Sequence, residues 1–497
     1  MADKLFQLIH ALSKSEKRYF NKFANMNRTE SNLLKLFEAI CKQKKYDEAA
    51  IKKKFTGEKF ATQLFVTKKH LYDAILKSMR LYNSERSVRY RLQAMLQDIQ
   101  YLYEKQLFEA CNDLIAKAKQ IAEQHEMFYI GLQLLYWHDK QMVRGYYKQY
   151  DEMAIEEVST QFNLLLEKLK RERAYRTLET KMGYSYFYLQ EAARLDFQEV
   201  IINNSILHDE NYALSNKAKL FYYSIHTQYY YARLNWEKVY MYQKKMVLLL
   251  ENDKSVNRDK MLNHVYSLNN FLHACLQTKR FEEFEDYIPL IKAIPKRYTK
   301  VKLSDAFSNE IFPKLYLLEL LYYNRSKQEQ KGKAIVLEIE KALATYKSRI
   351  CKDDLLLIYV NVSLFYFSVG LHKDALLWLQ FLLNANIKNK NNNMFYNNGI
   401  LLQILLHFEL EHHDLLEHLL RAAFRFFYKK KGANIFEISL LQFVKKSLAF
   451  VSQKQEKKAL EDLQLVLGKK IALAENEYDI SLDIKQEILF WLNRKLE

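Results

Sequence analysis

The segment between His407 and His418 concentrates side chains that could coordinate a metal ion. It reads HFELEHHDLLEH, and Glu409 and His412 form one Glu-x-x-His pair. A di-iron helical bundle needs two such pairs and two further glutamates on facing helices, and the sequence offers no second pair. The segment also falls on a predicted turn, where polar side chains face solvent. We therefore expect no metal site and no cofactor here.

Glycine-rich loops that hold phosphates or expose a nucleophile are missing from the sequence. The chain has only nine glycines among 497 residues. None of them builds the Gly-x-Gly-x-x-Gly or Gly-x-x-x-x-Gly-Lys-Ser/Thr pattern whose backbone amides cradle nucleotide phosphates. The Gly-x-Ser-x-Gly turn that exposes a catalytic serine is also missing. The sequence therefore predicts a non-enzymatic protein.

Basic residues are concentrated near the N-terminus. Residues 1–91 contain 21 lysines and arginines but 9 acidic residues, in a chain of net charge +18. Clustered cations could contact the phosphates of a nucleic acid or an acidic partner, whereas the alternative is a solvated surface that affects only non-specific association. Three of them share one face of a predicted helix over 60–82, and three are consecutive. These candidate contacts are Lys52, Lys53, Lys54, Lys69, Lys77 and Arg80.

The elements that position these residues are predicted to be helices. Nine glycines and three prolines cannot supply the many turns of a sheet-rich fold. The apolar fraction of 49 % and the charged fraction of 27 % are those of a globular chain. We therefore predict an all-α protein. A capping box at Ser13 and Glu16 predicts a helix start, because a serine three residues before a glutamate can satisfy free backbone amides.

A repeat of about 44 residues runs through the chain after the basic region. Short polar turns are followed by an apolar residue that opens an amphipathic stretch. Helix pairs of this length cannot bury their apolar faces alone and must stack on neighbouring pairs. The apolar markers are Ala110, Met153, Val200, Val239, Phe284, Ala334, Ala375, Leu416 and Ala459.

The turns of this repeat resemble those of tetratricopeptide repeats (TPR). ARLNWEKVYM from Ala232 and SVGLHKDALL from Ser368 carry a bulky residue three positions before a smaller apolar one. The resemblance implies a right-handed superhelical solenoid of antiparallel helix pairs, although these units exceed the usual length of about 34 residues. The stretches SKSEKRYFNKF and KKHLYDAILKSMRLY are similar to the N-terminal region of helical-repeat proteins of Bacteroidetes that carry no assigned function.

In a TPR-like solenoid the first helix of each pair faces the concave surface, and tyrosines recur on two such helices. Tyr184 and Tyr188 are followed by Tyr222, His226 and Tyr229 at helical spacing. Tyrosine combines a large contact area with a polar tip and suits peptide recognition. The alternative is that these rings fill the core. We predict that they line a groove for a peptide or a partner helix.

The domain prediction follows from the charge, the repeat and the prolines. A basic helical region spans 1–92, with Thr56-Gly57-Glu58 joining two helices in a helix-turn-helix-like arrangement. Solenoid halves span 93–288 and 314–497. Between them, Pro289, Pro295 and Pro313 predict a bend over 289–313, since proline ends or kinks helices.

The predicted function is a protein-protein interaction scaffold or adaptor, with a nucleic-acid-associated regulator acting through the basic region as the alternative. The N-terminus carries no secretory hydrophobic stretch. The longest run without charge, 355–371, is shorter than the roughly 20 residues of a membrane span. We therefore expect a cytoplasmic protein with a protein or peptide partner.

Overall fold

The computed structural model describes residues 2–26, 31–84, 87–144, 151–189, 191–252, 258–297, 305–347, 350–385, 394–429, 435–449, 453–474 and 482–496. Within these ranges the chain forms α-helices, two short 3₁₀ segments and no β-strand, which confirms the all-α prediction. No helix in these ranges is both long enough and apolar enough to cross a membrane. The chain divides into two compact units, Met1–Arg171 and Glu172–Glu497, with the division inside one long helix.

The first unit contains nine helices and the first part of a tenth among its described residues. They are α1 (Ala2–Ala11), α2 (Lys14–Met26), α3 (Ser31–Lys42), α4 (Glu48–Lys54), α5 (Lys59–Thr62), α6 (Leu64–Ser84), α7 (Val88–Glu104), α8 (Phe108–Gln124), α9 (Phe128–Arg144) and α10 (Glu152–Tyr188). Helices α1 to α6 share one apolar core around Phe20, Phe37 and Leu71. Helices α7 to α9 share another.

One predicted helix start in this unit is confirmed, and one predicted helix proves to be two. The capping box is confirmed, because the backbone amide of Ser13 donates to Glu16 Oε2 at 2.7 Å and the amide of Glu16 donates to Ser13 Oγ at 3.4 Å. The single helix predicted over 60–82 is corrected. The chain forms the short α5, passes through Gln63 and starts α6 at Leu64. The break lies at Gln63, whose φ of −108° and ψ of 37° leave the helical conformation, and Phe60 and Leu64 on either side of it are buried in the shared core.

The second unit contains the rest of α10 and fourteen further helices among its described residues. They are α11 (Glu191–Ile202), α12 (Asn216–Tyr231), α13 (Trp236–Asn252), α14 (Arg258–Gln277), α15 (Phe281–Arg297), α16 (Asp305–Arg325), α17 (Glu329–Tyr346), α18 (Lys352–Ser368), α19 (His372–Leu383), α20 (Met394–Glu409), α21 (His413–Lys429), α22 (Ile435–Ser447), α23 (Gln453–Ala474) and α24 (Leu482–Leu496). The 3₁₀ segments Ser205–Leu207 and Glu210–Tyr212 precede α12.

Seven tight turns join consecutive helices with one shared hydrogen-bond pattern. After α12, for example, the amide of Asn235 donates to Tyr230 O at 3.0 Å, and the amide of Leu234 donates to Tyr231 O at 3.1 Å. This is the Schellman motif, in which one residue past the helix adopts a left-handed conformation. Glycine occupies that place in one of the seven turns, Gly370 with φ 78°. The other six left-handed residues are Gln106, Glu126, Leu234, Lys279, Lys327 and Glu411.

The last helix, α24, contacts helices that are distant from it in the sequence. Helix α24 packs against α18 as well as against α23. Asn324 at the end of α16 donates to Glu487 at 2.9 Å, Arg494 donates to the carbonyl of Ser368 at 2.5 Å, and Lys495 pairs with Glu409 at 2.8 Å. Helix α24 therefore ties together the C-terminal ends of three alternate helices, α16, α18 and α20.

The prolines do not end the helices that contain them. Helix α15 continues through Pro289 and includes Pro295, and α16 includes Pro313. Residues 298–304 of the predicted bend lie outside the described residues, so the bend and the two solenoid halves stay predictions. Cysteines 41, 111, 275 and 351 are free thiols. Cys351 is exposed at the start of α18, whereas Cys111 and Cys275 are buried.

Candidate interaction surfaces

Tyr184 and Tyr188 lie on an exposed aromatic surface at the C-terminal end of α10. Their rings stack with centroids 4.9 Å apart and an interplanar angle of 21°. Phe187 lies beside them in the sequence and is 84 % exposed. Neighbouring residues on the opposite side of the helix, such as Tyr175 and Met182, are fully buried. Core packing therefore uses one side of α10 and leaves these three rings to solvent.

Two basic residues share this exposed side of the helix. At about 100° per residue, Arg173 and Lys181 fall within the same arc as the three rings. Both side chains are exposed, and neither forms an ion pair with a residue that the structure describes. We call Arg173, Lys181, Tyr184, Phe187 and Tyr188 the α10 face. Phe187 was not among the predicted groove residues, although its position three residues after Tyr184 is the signal that could have identified it.

The prediction that Tyr222 and His226 line an open groove is corrected, because both are buried with 6 % exposure. The ring of His226 lies 4.4 Å from that of Tyr222, and it stacks on Tyr242 of α13 at 4.6 Å. Its Nε2 lies 3.2 Å from the carbonyl oxygen of Leu207. Burial lowers the pKa of His226 to about 4. Residues of α13 and of the 3₁₀ segments therefore pack against this row of side chains.

Tyr229 is half-buried and already engaged. Its hydroxyl donates to Glu199 at 2.8 Å, and the guanidinium of Arg233 lies 3.7 Å from its ring centroid. Arg233 also pairs with Glu199 at 2.9 Å. Burial and the bond to Glu199 raise the pKa of Tyr229 to about 12. These contacts join α11 to α12, so Tyr229 contributes to the packing of the two helices.

The predicted basic contacts lie on the surface of the first unit. All six are exposed, and five of them make no ion pair with a described residue. The sixth, Lys52, pairs with Glu48 one helical turn earlier at 3.0 Å. The five without an ion pair are Lys53, Lys54, Lys69, Lys77 and Arg80.

Sequence reasoning missed Lys68, which is buried although it lies beside the exposed Lys69. Its ammonium donates to Glu48 at 2.6 Å and to the hydroxyl of Tyr46 at 3.3 Å. Hydrogen bonds from Lys68 and Lys52 lower the pKa of Glu48 to about 2. Glu48 therefore joins α4 to α6 and neutralises part of the basic surface.

The residues of the histidine cluster do not converge on one point, because they bind different partners. The Nδ1 atoms of His407 and His412 lie 2.9 Å apart, so one proton is shared between them. Burial and the neighbouring His412 lower the pKa of His407. Glu409 is turned toward α24, where it accepts from Trp491 Nε1 at 2.9 Å and pairs with Lys495 at 2.8 Å. Among the described residues, no group of three or more potential ligands is placed to hold a metal.

Compared with known proteins, the chain matches no protein-family model and no curated sequence. The resemblance to TPR turns, which rests on the residues of the turns, therefore stays a prediction. The resemblance to helical-repeat proteins of Bacteroidetes, which rests on SKSEKRYFNKF and KKHLYDAILKSMRLY, also stays one.

Proposed function

We propose that this chain is a non-enzymatic cytoplasmic interaction protein that binds a peptide or a partner helix on the α10 face. The observation that supports the proposal is the exposure of three adjacent aromatic rings, with Phe187 at 84 %. Contiguous exposed apolar surface on a folded protein marks an interaction site more often than isolated exposed residues do. Tyrosine and arginine are also enriched among residues that dominate binding energy.

The charges of the α10 face specify the chemistry of the partner. Arg173 and Lys181 both lie on the N-terminal side of the rings along α10, and they have no acidic partner among the described residues. A segment with apolar side chains and nearby carboxylates would cover the rings and pair with these two cations. The partner is therefore an acidic amphipathic helix or peptide. The two cations would act mainly on association rate and specificity, and the rings on affinity.

A displayed library of acidic amphipathic peptides, screened against the full chain, tests the proposal. Peptides that bind are then measured against Tyr184→Ala/Phe187→Ala/Tyr188→Ala and against Arg173→Glu/Lys181→Glu. We expect the ring variant to weaken binding at least about thirtyfold, since central aromatic residues each contribute about 1–2 kcal/mol. The charge variant should slow association and reduce its salt dependence.

Leu465→Ala/Phe490→Ala is the matched control, because it removes exposed apolar side chains from α23 and α24. It should leave peptide binding unchanged. The proposal fails if no acidic amphipathic peptide binds, or if the control and the ring variant lose affinity equally. Unchanged circular dichroism and unfolding midpoints must accompany any loss, because the rings are exposed and their removal leaves the core intact.

We also propose that the fold to which this surface belongs is a right-handed TPR-like solenoid with a period of about 44 residues. Its support comes from the recurring Schellman turns, five of which lie between α12 and α21 with left-handed residues at 234, 279, 327, 370 and 411. Repeated turns of one geometry relate successive hairpins by similar rotations. An experimental structure of the full chain that showed successive hairpins related by unequal rotations would contradict it.

The second candidate function is contact with nucleic acid through the basic surface of the first unit. The specific observation in its favour is that Lys53, Lys54, Lys69, Lys77 and Arg80 are exposed without ion pairs to described residues. Their charges therefore remain available to phosphates. This candidate predicts duplex DNA or RNA binding whose affinity falls steeply as salt increases.

Anisotropy measurements with a labelled duplex compare the chain with Lys69→Glu/Lys77→Glu/Arg80→Glu. The slope of log affinity against log salt should fall by about 2 to 3, because each phosphate contact contributes about 0.9. Lys454→Glu/Lys457→Glu/Lys458→Glu makes the same charge change on α23 and serves as the control. Equal losses in the two variants would show that total charge, and not the N-terminal surface, determines binding.

A further inference from the structure

Helices α21 and α22 of the second unit form an open cleft whose cations and aromatic rings none of the predictions above includes. Its volume is about 730 Å³. Helix α21 contributes His418, Arg421, Phe424, Arg425 and Tyr428, and α22 contributes Lys445. Three permanent cations and two aromatic rings therefore meet in one concave site, which is separate from the α10 face and from the basic N-terminal surface.

The cations of the cleft have no acidic partner. No lining residue is a carboxylate, and neither Arg421, Arg425 nor Lys445 forms an ion pair with a residue that the structure describes. Glu417 lies one turn before Arg421 but does not approach it within ion-pair distance. The Nε of Arg425 lies 3.4 Å from the carbonyl of Arg421. This contact holds the guanidinium stem along α21 and leaves its terminal nitrogens available to a ligand.

The aromatic residues of the cleft offer a flat surface beside these charges. The rings of Phe424 and Tyr428 stack with centroids 5.9 Å apart and an interplanar angle of 18°. Tyr428 is 64 % exposed, so one face is open to a ligand. The ammonium of Lys445 lies 6.0 Å from the Phe424 ring centroid, which places positive charge from α22 close to the stacked pair.

We propose that the α21–α22 cleft binds phosphate groups attached to aromatic bases, with single-stranded nucleic acid as its ligand. Arg421 and Arg425 are one turn apart, about 6 Å along the helix axis, so they can contact successive phosphates. A base stacks on the open face of Tyr428. This combination of a cationic groove with aromatic stacking surfaces is how proteins bind single strands without reading sequence.

The exposed ring favours a single strand over other polyanions. A duplex keeps its bases stacked inside, so it would use the cations but not Tyr428. A phosphorylated or acidic peptide would pair with the arginines, yet it offers no flat base to the ring. A free nucleotide shares the ligand chemistry, phosphate beside a base, and differs from a strand in having no second nucleotide for the second arginine.

Fluorescence anisotropy of a labelled twelve-residue oligouridylate tests the proposal with the full chain. The measurements are made in a background in which all five unpaired cations of the N-terminal basic surface are reversed, Lys53→Glu/Lys54→Glu/Lys69→Glu/Lys77→Glu/Arg80→Glu, so that this surface does not attract the strand. Arg421→Glu/Arg425→Glu should weaken binding at least tenfold and reduce the salt slope by about 1.4, since each single-strand phosphate contact contributes about 0.7. Tyr428→Leu should weaken binding about tenfold with no change in the salt slope. Tyr428→Trp, which keeps an aromatic ring at this position, should bind as tightly as the wild type.

Matched controls and competitors determine the outcome. Lys457→Glu/Lys458→Glu reverses the same amount of charge on α23 and should leave affinity within about twofold. Uridine monophosphate that competes as well as the oligonucleotide would support a free-nucleotide ligand of the same chemistry, whereas far weaker competition supports the strand. The proposal is overturned if inorganic phosphate competes as well as the nucleotide, if Tyr428→Leu has no effect, or if the α23 control loses as much affinity as the arginine variant.

Discussion

The ring of His226 stacks on the ring of Tyr242 with an angle of 10° between the planes and 4.6 Å between the centroids. The Nε2 of the histidine lies 3.2 Å from the carbonyl of Leu207, whereas its Nδ1 has no hydrogen-bond partner among the described residues. Carbonyl oxygen only accepts, so Nε2 carries the proton. The folded chain therefore holds His226 neutral, with an unpaired nitrogen inside an aromatic cluster.

Protonation of His226 should make the second unit sensitive to acid. Its pKa falls from about 6.5 in the unfolded chain to about 4 in the folded one. The unfolded chain therefore binds this proton first, and stability is lost as pH falls from about 6.5 to 4, up to about 3 kcal/mol. Denaturant unfolding at pH 7, 5.5 and 4.5 should show this decline, and His226→Phe should flatten it.

His413→Gln is the control for this pH series, because His413 is exposed at the start of α21. Its unfolding curve should retain the wild-type dependence on pH. A decline that is equally steep in His226→Phe would show that other groups account for the acid sensitivity. The comparison uses the change with pH within each variant, since His226→Phe also loses the bond to Leu207 at every pH.

Glu48 should stabilise the first unit because it neutralises Lys68, whose side chain is 6 % exposed. Glu48→Gln would leave this ammonium without a carboxylate and should cost about 2 kcal/mol, less than for a fully buried pair because Glu48 is 39 % exposed. The pKa of Glu48 is about 2 in the folded chain. Its stabilising contribution is therefore present above about pH 4.5 and is lost as pH falls toward 2.

The double variant Glu48→Gln/Lys68→Met separates two free energies: the cost of leaving the Lys68 ammonium buried without a carboxylate, and the net contribution of the ion pair to stability. Removal of both charges should recover most of the stability that Glu48→Gln loses. Lys52→Met is the control, since Lys52 is 57 % exposed and its ion pair should contribute at most about 0.5 kcal/mol. Urea unfolding of each variant gives the free energies. A double variant as unstable as the sum of its single variants would contradict this account.

Lysines that occupy left-handed turn positions should make the second unit less stable than glycine would at the same positions. Lys279 has φ 58° and Lys327 has φ 56°, and both are exposed. A side chain with a Cβ in this conformation costs about 1 kcal/mol of folding free energy, and glycine removes that strain. Glycine also gives the unfolded chain more conformational freedom, which offsets part of the gain. Lys279→Gly and Lys327→Gly should therefore each raise the free energy of unfolding by about 0.5 kcal/mol.

Two reciprocal variants test whether the turn geometry is responsible. Gly370→Ala at φ 78° should lower the free energy of unfolding by about 1 kcal/mol. Lys341→Gly, in the interior of α17, should also destabilise by about 1 kcal/mol. Thus one substitution, lysine to glycine, should have opposite signs in the turn and in the helix. The same sign at both places would exclude the left-handed conformation as the cause.

Composition and apolar spacing were sufficient to predict helices, because a shortage of glycine and proline leaves few other folds. Six of the nine apolar markers, such as Val239 and Ala375, lie within the first six residues of a helix that follows a Schellman turn. Four of these six markers are buried at the start of the second helix, whereas Ala110 and Ala334 are exposed. The left-handed conformation itself could not be predicted, since lysine or glutamate usually replaces the glycine that signals it.

Burial of individual polar side chains could not be predicted from spacing. Tyr184 and Tyr222 both have an aromatic or histidine partner four residues later, yet the first pair is exposed and the second is buried. The difference arises because the 3₁₀ segments and α13 cover α12, and no local pattern specifies that covering. Lys68 and Lys69 are adjacent and chemically identical. The helical rotation of about 100° between them sends one toward Glu48 and the other to solvent.

Close packing at Gly332 gives the last prediction, because α17 approaches the ring of Phe365 in α18 at this position. A Cβ added at residue 332 would overlap that ring, and Phe365 is 1 % exposed. The ring cannot move into solvent, so Gly332→Ala should force α17 and α18 apart and cost about 2 kcal/mol. Gly183→Ala is the control, since a Cβ there meets nothing within 4 Å and alanine favours a helix, so stability should rise by up to about 1 kcal/mol.

In Gly332→Ala/Phe365→Leu the smaller side chain makes room for the new methyl group, and the cost of the double variant should be less than the sum of the two single costs. Thermal unfolding of the four variants measures these differences, and strictly additive costs would show that the two side chains do not compete for the same space.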